Sequence, residues 1–418
     1  MRSPVADPAA LPFRHLYAPF AAAYLLSYFY RTVNAVISPD LVRELSLSPG
    51  ALGLLTAAYF VAFAAMQIPA GMLLDRYGPR RVEPLLLLVA AIGALAFAFA
   101  ETESGLLAAR ALIGMGVAIC LMAPLKAIAT WYPKEQQASL GGWMMVAGGV
   151  GVLAATAPLE FALRFVSWRA IFVALSVTTC AAALFIWWRV PDTSPSKHSP
   201  GIAAQWAGVR SVFAHARFWW VAPLATAGIG SFMAIQGLWA VPWLLEVNGF
   251  SRAVAAQHLL AMGATMIAGY VAMGLYATRL ARHGIHPRHL FGAGFGLSAL
   301  ALAAILALVP GTWLWWALYG LGATVNVLGF TVLNDGFAIE LTGRANTALN
   351  LLMFCGSFSF QWGIGVIVDA ARAGLGLDIA GGLRIAFGVA LVLYVLAFAW
   401  FAWGWRRHAG VARAVAVA

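Results

Sequence analysis

The fold of this chain is decided by a short polar stretch between two long apolar blocks, Gly71-Met-Leu-Leu-Asp75-Arg76-Tyr-Gly78-Pro-Arg80-Arg81. Each block is long enough to cross a bilayer as a helix, which takes about 20 residues. The charges must therefore form a turn at a membrane surface, because the bilayer core offers them no water. Loops that carry several arginines lie mostly on the cytoplasmic side. The stretch thus predicts a cytoplasmic turn between two membrane-spanning helices.

The composition supports a membrane protein along the whole chain. Of the 418 residues, 62% are hydrophobic and 10% are charged, which is too little polar surface for a soluble protein. The apolar runs are long and do not alternate as outer-membrane strands do, so helices are expected. The net charge of +11 comes from short basic clusters between apolar blocks. Because they form no continuous patch, no nucleic-acid partner is expected.

Apolar windows predict twelve spans in two groups of six. They lie near 17–37, 51–74, 82–100, 105–130, 139–160 and 168–188, then near 218–244, 257–278, 290–309, 312–334, 346–368 and 383–405. The connection between the groups is rich in Pro and Ser, as linkers are. We predict an all-α membrane protein with an N-terminal half (1–190), a cytoplasmic linker (191–217) and a C-terminal half (218–418).

An internal repeat supports two related halves. Arg110-Ala-Leu-Ile-Gly114-Met-Gly116 matches Trp316-Ala-Leu-Tyr-Gly320-Leu-Gly322 at most positions. Repeats of this kind predict two six-helix halves with parallel topology and a central path. With a cytoplasmic N-terminus, most Lys and Arg residues fall in cytoplasmic segments, which places both termini inside. The first 14 residues lack a cleavable signal pattern, so the first helix is expected to remain as an anchor in the inner membrane.

The pattern Gly-x-Leu-x-Asp-Arg-x-Gly-x-Arg-Arg closely resembles the loop signature between helices 2 and 3 of the major facilitator superfamily. The resemblance implies a secondary transporter of twelve helices. Arg110 begins Arg-x-x-x-Gly-x-Gly, which resembles the fourth-helix motif whose arginine is associated with energy coupling. The resemblance assigns gating or coupling to Gly71, Asp75, Arg76, Gly78, Arg80 and Arg110.

Two further motifs narrow the resemblance. Trp131-Tyr-Pro133 and Trp168-Arg169 are similar to motifs of anion-cation symporters and nitrate/nitrite porters. The asparagine-bearing glycine signature of true nitrate porters is missing from helices 5 and 11, so nitrate is disfavoured. Helix 5 also lacks the Gly-Pro pair of drug/proton antiporters.

The substrate class is inferred from charge inside the spans. Arg31, Arg110 and Lys126 are the basic residues there, while carboxylates such as Glu83 are assigned to span ends. A charge near the bilayer centre costs at least about 2.5 kcal/mol and needs compensation, which a bound anion could supply. The predicted substrate-binding residues are Arg31, Tyr28, Asn34, Tyr59, Lys126, Gln236, Trp239, Asn350 and Gln361.

Structural roles stay open for these residues. Arg31 can snorkel or pair with Asp40 or Asp369, and Lys126 can snorkel to the inner headgroups. Arg110 can anchor at the interface, and the amides can bond between helices. The three cysteines have no CxxC spacing and are expected to be buried free thiols.

The preferred hypothesis is a secondary transporter for a small organic anion of carboxylate type, working by alternating access and coupled to protons. Uniport and anion exchange stay open. The alternatives are an exporter of amphipathic drugs or metabolites and, in another class, a membrane sensor without transport. HExxH, GxSxG and nucleotide-binding motifs do not occur, so no enzyme, cofactor or metal is expected. We expect a monomer in the lipid bilayer.

Overall fold

The structure is a computed structural model that describes residues 13–192, 210–335, 337 and 339–417. It leaves out the side chains of 13–15, 134, 135, 138, 277–279, 281, 282, 339, 340 and 406–417. Most of the predicted linker, 193–209, therefore lies outside the described residues.

Within those residues the chain forms twelve long helical units, besides a short helical segment at 210–213, and no strands. The first six are α1 Phe13–Leu45, α2 Pro49–Tyr77, α3 Pro79–Phe99, α4 with segments Glu103–Gly116 and Met122–Trp131, α5 with segments Lys134–Ala154 and Ala157–Ala162, and α6 Trp168–Arg189. The last six are α7 Phe218–Val247, α8 Arg252–Arg282, α9 Pro287–Leu306, α10 Thr312–Asn334, α11 Ile339–Leu375 and α12 Ile379–Val417. The predicted all-α architecture of twelve helices is confirmed.

Ten of these units, within the described part of the chain, are long and apolar enough to cross a membrane. The other two are α1 and α4. Helix α1 has 33 residues, but its polar residues, Arg31 and Asn34 among them, lower its hydropathy. Helix α4 is interrupted by turns between Gly116 and Met122.

Local sequence explains where several helices begin. Thr102 and Ser167 cap α4 and α6 by accepting hydrogen bonds from the backbone N–H of Gly105 and Ala170, as N-cap hydroxyls do. Gly78 has φ +80° between α2 and α3, a conformation that side chains disfavour. Pro79 follows at the first helical position, where its missing N–H is no loss.

Helix α7 is irregular in its C-terminal part. Two π-helical segments, Ile235–Trp239 and Trp243–Val247, flank a short α-helical turn, Ala240–Pro242. Pro242 cannot donate a backbone hydrogen bond, and wide turns of this kind are often found at functional sites. The π segments set the direction of Gln236 and Trp239.

Backbone contacts group the described residues into two units. One unit comprises the described parts of Met1–Val33 and Val61–Ile202, and the other those of Asn34–Phe60 and Ala203–Ala418. The hairpin that joins α1 to α2 thus belongs to the second unit. The predicted division of the chain at 190 and 218 stays a prediction.

The two glycine motifs of the predicted repeat make the same kind of contact, each in its own unit. A Cβ at Gly116 would lie 2.3 Å from the backbone N of Ala90 on α3. A Cβ at Gly322 would lie 2.4 Å from Oγ of Ser298 on α9. Each motif therefore lets its helix approach the preceding helix closely.

The cysteines are free thiols, but the expectation that all are buried is wrong. Cys120 is buried, Cys180 is half-buried and Cys355 is exposed. Cys355 lies on a face of α11 that protein does not cover, and in a membrane protein lipid can cover such a face.

Candidate functional site

The first unit holds the guanidinium of Arg31 in an aromatic cage. Its Cζ lies 4.5 Å from the ring centre of Tyr28, one turn earlier on α1, and 5.5 Å from that of Phe63 on α2. Arg31 is only 9% exposed, so it lies inside the protein and does not extend into lipid. Such contacts contribute about 2 kcal/mol or more when desolvated.

Tyr28 is held in place by α5. A Cβ at Gly148 would lie 2.8 Å from the rings of both Tyr24 and Tyr28. A Cβ at Gly151, one turn further on, would lie 2.2 Å from the carbonyl oxygen of Leu25. The small residues of α5 therefore let α1 approach closely enough to position the cage.

Arg110 is fully buried on α4 and supports the same stretch of α1. Its Nη1 donates a hydrogen bond of 3.0 Å to the carbonyl oxygen of Tyr30, the residue before Arg31. The Tyr30 hydroxyl lies 2.9 Å from Oγ1 of Thr179 on α6. Arg110 thus fixes the backbone next to Arg31, which interfacial anchoring would not do.

Lys126 has a partner in the loop signature. Its Nζ lies 2.6 Å from Oδ1 of Asp75 and donates a hydrogen bond of 3.0 Å to the carbonyl oxygen of Leu74. Both charged side chains are partly exposed. The structure therefore brings this predicted pocket residue together with a predicted gating residue, near the C-terminal end of α2.

The other residues of the signature play distinct parts. Gly78 supplies the turn, and Arg80 Nε donates to the carbonyl oxygen of Trp187 on α6 at 3.0 Å. Arg76 lies over the ring of Tyr77 at 5.2 Å. A Cβ at Gly71 would meet no described atom within 4 Å, so packing does not require glycine there.

The second unit brings Trp239 and Gln361 together. Trp239 Nε1 on α7 donates to the carbonyl oxygen of Gln361 on α11 at 2.9 Å. A Cβ at Gly53 on α2 would lie 2.8 Å from the same oxygen and 3.2 Å from the Trp239 ring. Nearby on α1, Asn34 Nδ2 donates to Oγ1 of Thr56 at 3.0 Å.

Two amides of this unit are buried with unused hydrogen-bonding groups. Nε2 of Gln236 and both side-chain polar atoms of Gln361 make no hydrogen bond with any described residue. An unmet polar group costs about 1–3 kcal/mol, so these positions suit a polar ligand or water. Tyr59 is fully buried against Phe60 in the same unit, and Asn350 is half-buried on α11.

Sequence reasoning missed Glu83. The predicted span began at Val82 and left this acid at its end, but α3 begins at Pro79 and Glu83 is fully buried. The Cys120 thiol of α4 interacts with its carboxyl group, yet neither oxygen makes a well-formed hydrogen bond with a described residue. An isolated ionised carboxylate would cost on the order of tens of kcal/mol in an apolar medium, so a carboxyl group buried in this way needs a proton or a partner. Pro79 at the first helical position was the signal for the earlier start.

A family model described as Major Facilitator Superfamily matches residues 20–361. The chain belongs to this superfamily. The match covers well over half of the chain, including the loop signature, Arg31 and the α4 motif, and so confirms the family that the signature predicted.

Curated relatives within this superfamily are transporters rather than enzymes. The chain is 29% identical over 163 residues to the hexuronate transporter of Escherichia coli K12, covering 39% of this chain but only 37% of that protein. It is 25% identical over 313 residues to the galacturonate transporter of Dickeya chrysanthemi, covering 69% of this chain and 87% of that one.

The fold also matches solved structures of the superfamily. One is the crystal structure of a bacterial homologue of the human lysosomal transporter Spinster, with a TM-score of 0.76 and 19% identity. The match covers 94% of this chain and 97% of that chain. At this identity the likeness establishes the fold alone.

Proposed function

We propose that this protein is a secondary active transporter that carries a small organic anion with a carboxylate group across the inner membrane. Transport proceeds by alternating access, with the site open to one side at a time, and a proton moves together with the anion. The observation that carries the proposal is the aromatic cage of Arg31 on α1.

The cage suits carboxylate binding for a geometric reason. A guanidinium is planar, and its N–H donors point outward in that plane. Those donors match the two oxygens of a carboxylate in bidentate fashion, and the rings of Tyr28 and Phe63 lie beside the guanidinium. Arginine also keeps its charge when buried, whereas lysine can lose its proton. The site is therefore suited to an anion over the physiological pH range.

The relatives support the same class of cargo. The proteins from E. coli and Dickeya chrysanthemi are transporters of hexuronate and galacturonate, which are sugar acids with one carboxylate and several hydroxyl groups. Unused amide groups, as in Gln236 and Gln361, suit hydroxyl groups of a cargo. Cargo contact by these two residues, and by Asn34, Tyr59, Trp239 and Asn350, stays a prediction.

The architecture that we propose for the transporter is the one predicted from the sequence. Two six-helix halves, 1–190 and 218–418, are joined by a cytoplasmic linker, and both termini lie in the cytoplasm. The unit that transports is a monomer. Lys126 is assigned to the loop signature because Asp75 is its partner.

The first test is a thermal-shift screen of the purified protein against sugar acids, other carboxylates, inorganic anions and cationic drugs. A ligand at 100 times its Kd stabilises a protein by about 2.7 kcal/mol, so binders will raise the Tm clearly. We expect the hits to be carboxylates. Uptake of the best hit into proteoliposomes then tests transport directly. A screen in which only cations stabilise the protein would refute the proposal.

Arg31→Gln tests the role of the Arg31 cage, on which the proposal rests. Hydrogen bonds to charged groups contribute about 1.5–3 kcal/mol, so carboxylate affinity should fall about 10- to 100-fold. Arg43→Gln is the matched control, because Arg43 lies at the far end of α1 with an 81% exposed side chain. Equal affinity in wild type and Arg31→Gln would exclude Arg31 as the anion site.

A further inference from the structure

Glu83 is a buried acid for which substrate binding gives no role. It lies four residues after Pro79 on α3 and is fully buried. Ionisable groups inside membrane-spanning segments are expensive and usually mark ion or proton pathways. The contacts of Glu83 indicate which ion it could bind.

Glu83 faces the interruption of α4. Cys120, whose thiol interacts with the Glu83 carboxyl group, lies in the turns between Gly116 and Met122. Gln67 of α2 supports the interruption, since its Nε2 donates to the carbonyl oxygen of Ala118 at 2.9 Å. Broken helices within a membrane are tolerated where they line a cavity or are buried in protein, and transporters place substrate and coupling ions at such breaks.

The Arg31 cage and the contact between Glu83 and Cys120 belong to the same unit. Arg31 is 9% exposed, and Glu83 and Cys120 are buried as well. Charges in such apolar surroundings are screened little.

Other titratable groups near Glu83 have separate roles. Two hydrogen bonds join α3 to α6 on either side of Glu83. Arg80 of α3 donates to the carbonyl oxygen of Trp187, and Ser176 of α6 donates to that of Ala91. The stretch of α6 between these two bonds packs against Glu83. The buried residues in that stretch are Thr179, Ala182, Ala183 and Ile186. Its titratable residue, Cys180, interacts with Tyr30. On α4, Lys126 pairs with Asp75.

We propose that Glu83 is the proton-binding site of this transporter and that the proton it takes up travels with the anion held at Arg31. In the proton-loaded state the carboxyl group is neutral, which is the form that a fully buried position favours. Release of the proton leaves a carboxylate, which requires water or a cation to reach it. The inference rests on the proposed anion transport, and it adds the residue and the ion that drive it.

The test compares two activities of the same proteoliposomes, with labelled galacturonate as the probe. Exchange at equal pH needs no net proton movement, whereas accumulation driven by a proton gradient does. In wild type, an inward proton gradient should raise initial uptake several-fold over uptake at equal pH. Glu83→Gln mimics the neutral form, so exchange should stay within about twofold while stimulation by the gradient disappears.

Two variants control for a merely structural role. Glu83→Asp keeps the carboxyl group and should retain part of the gradient stimulation. Glu101→Gln removes an exposed acid between α3 and α4 and should behave as wild type. Gradient-driven accumulation that survives in Glu83→Gln, or that is lost equally in Glu101→Gln, overturns the assignment.

Infrared difference spectroscopy of the purified protein tests the proton site without transport. Wild type should show a protonated carboxyl band that disappears as pH rises, and Glu83→Gln should lack it while Glu101→Gln keeps it. If galacturonate and every other carboxylate fail to exchange in wild type, anion transport fails, and this band still decides whether Glu83 binds a proton. A wild-type spectrum without a titrating band at Glu83 refutes the inference.

Discussion

Arg252, the first residue of α8, donates two hydrogen bonds to Asp40 of α1, from Nη1 to Oδ1 at 3.0 Å and from Nη2 to Oδ2 at 2.8 Å. Nη2 also donates to the carbonyl oxygen of Val36 at 3.0 Å. Close by, Asp369 of α11 accepts hydrogen bonds from the hydroxyl of Ser48 and from the backbone N–H of Gly50, in the first turn of α2. The α1–α2 hairpin is therefore attached to two helices of its own contact unit by charged groups.

The Arg252–Asp40 pair should contribute measurably to stability. Asp40 is only 14% exposed, and hydrogen bonds between charged groups contribute about 1.5–3 kcal/mol when little exposed. We expect Arg252→Ala to lower the free energy of unfolding by about that amount, measured by denaturation in detergent. Arg43→Ala is the control, because Arg43 also contacts Asp40 but is 81% exposed, and it should cost under about 1 kcal/mol. Equal losses in the two variants would contradict this assignment.

The ion pair between Lys126 and Asp75 allows a test of whether Lys126 acts with the loop signature or binds the cargo. If it belongs to the loop signature, Lys126→Ala and Asp75→Ala should slow transport to the same degree, and the double variant should be no slower than either. Carboxylate affinity, measured by thermal shift, should stay unchanged in all three, because Asp75 lies about 18 Å further along α2 than Phe63 of the Arg31 cage. A tenfold loss of affinity in Lys126→Ala alone would restore Lys126 as the pocket cation that the sequence predicted.

Arg110 should act on Arg31 through the backbone. Arg110→Gln removes the hydrogen bond to the Tyr30 carbonyl and leaves buried groups unmet, which should destabilise the protein by about 1–3 kcal/mol. Arg31→Gln keeps that hydrogen bond but removes the aromatic contacts, so it should lose carboxylate affinity together with about 2 kcal/mol of stability. The measurement is Tm and carboxylate affinity on both variants. Loss of affinity without loss of stability in Arg110→Gln would show that Arg110 binds cargo itself.

The glycine contacts predict which glycines tolerate a methyl group. Gly116→Ala and Gly322→Ala place a Cβ within 2.3 and 2.4 Å of a neighbouring helix, and overpacking of this kind costs about 1–3 kcal/mol. Gly71→Ala meets no described atom within 4 Å and should be neutral or stabilising by up to about 1 kcal/mol, because alanine favours helix. Thermal unfolding of the three variants checks the order. A larger loss at Gly71 than at Gly116 would be inconsistent with the packing.

Much of the fold could be predicted because the bilayer restricts what a chain can do. Apolar length alone predicts spans, and the polar turn at Asp75 identifies the superfamily, which the match over residues 20–361 confirms. The boundaries were less accurate. The first residues of α3 were missed because Arg80, Arg81 and Glu83 look like loop residues, whereas Pro79 begins the helix.

Some candidate-site residues could be predicted from the sequence and others could not. Sequence singled out Arg31 and Arg110, because a charge in an apolar span is conspicuous. It did not distinguish Arg110, which holds a backbone carbonyl, from Arg31, which lies in an aromatic cage, because the side chains around them come from distant positions. Phe63, Gln67 and Cys120 carried no signal, since aromatic, amide and thiol side chains are ordinary in membrane helices.

The sequence by itself determined that this is a twelve-helix membrane protein of one superfamily, because hydrophobic length and loop charge act locally along the chain. Only the tertiary structure decided which polar groups meet: Lys126 with Asp75, Arg252 with Asp40, and Glu83 with Cys120. These pairings depend on how helices rotate and pack against one another. Packing is set by small residues such as Gly116 and Gly148, whose contacts lie far away in sequence.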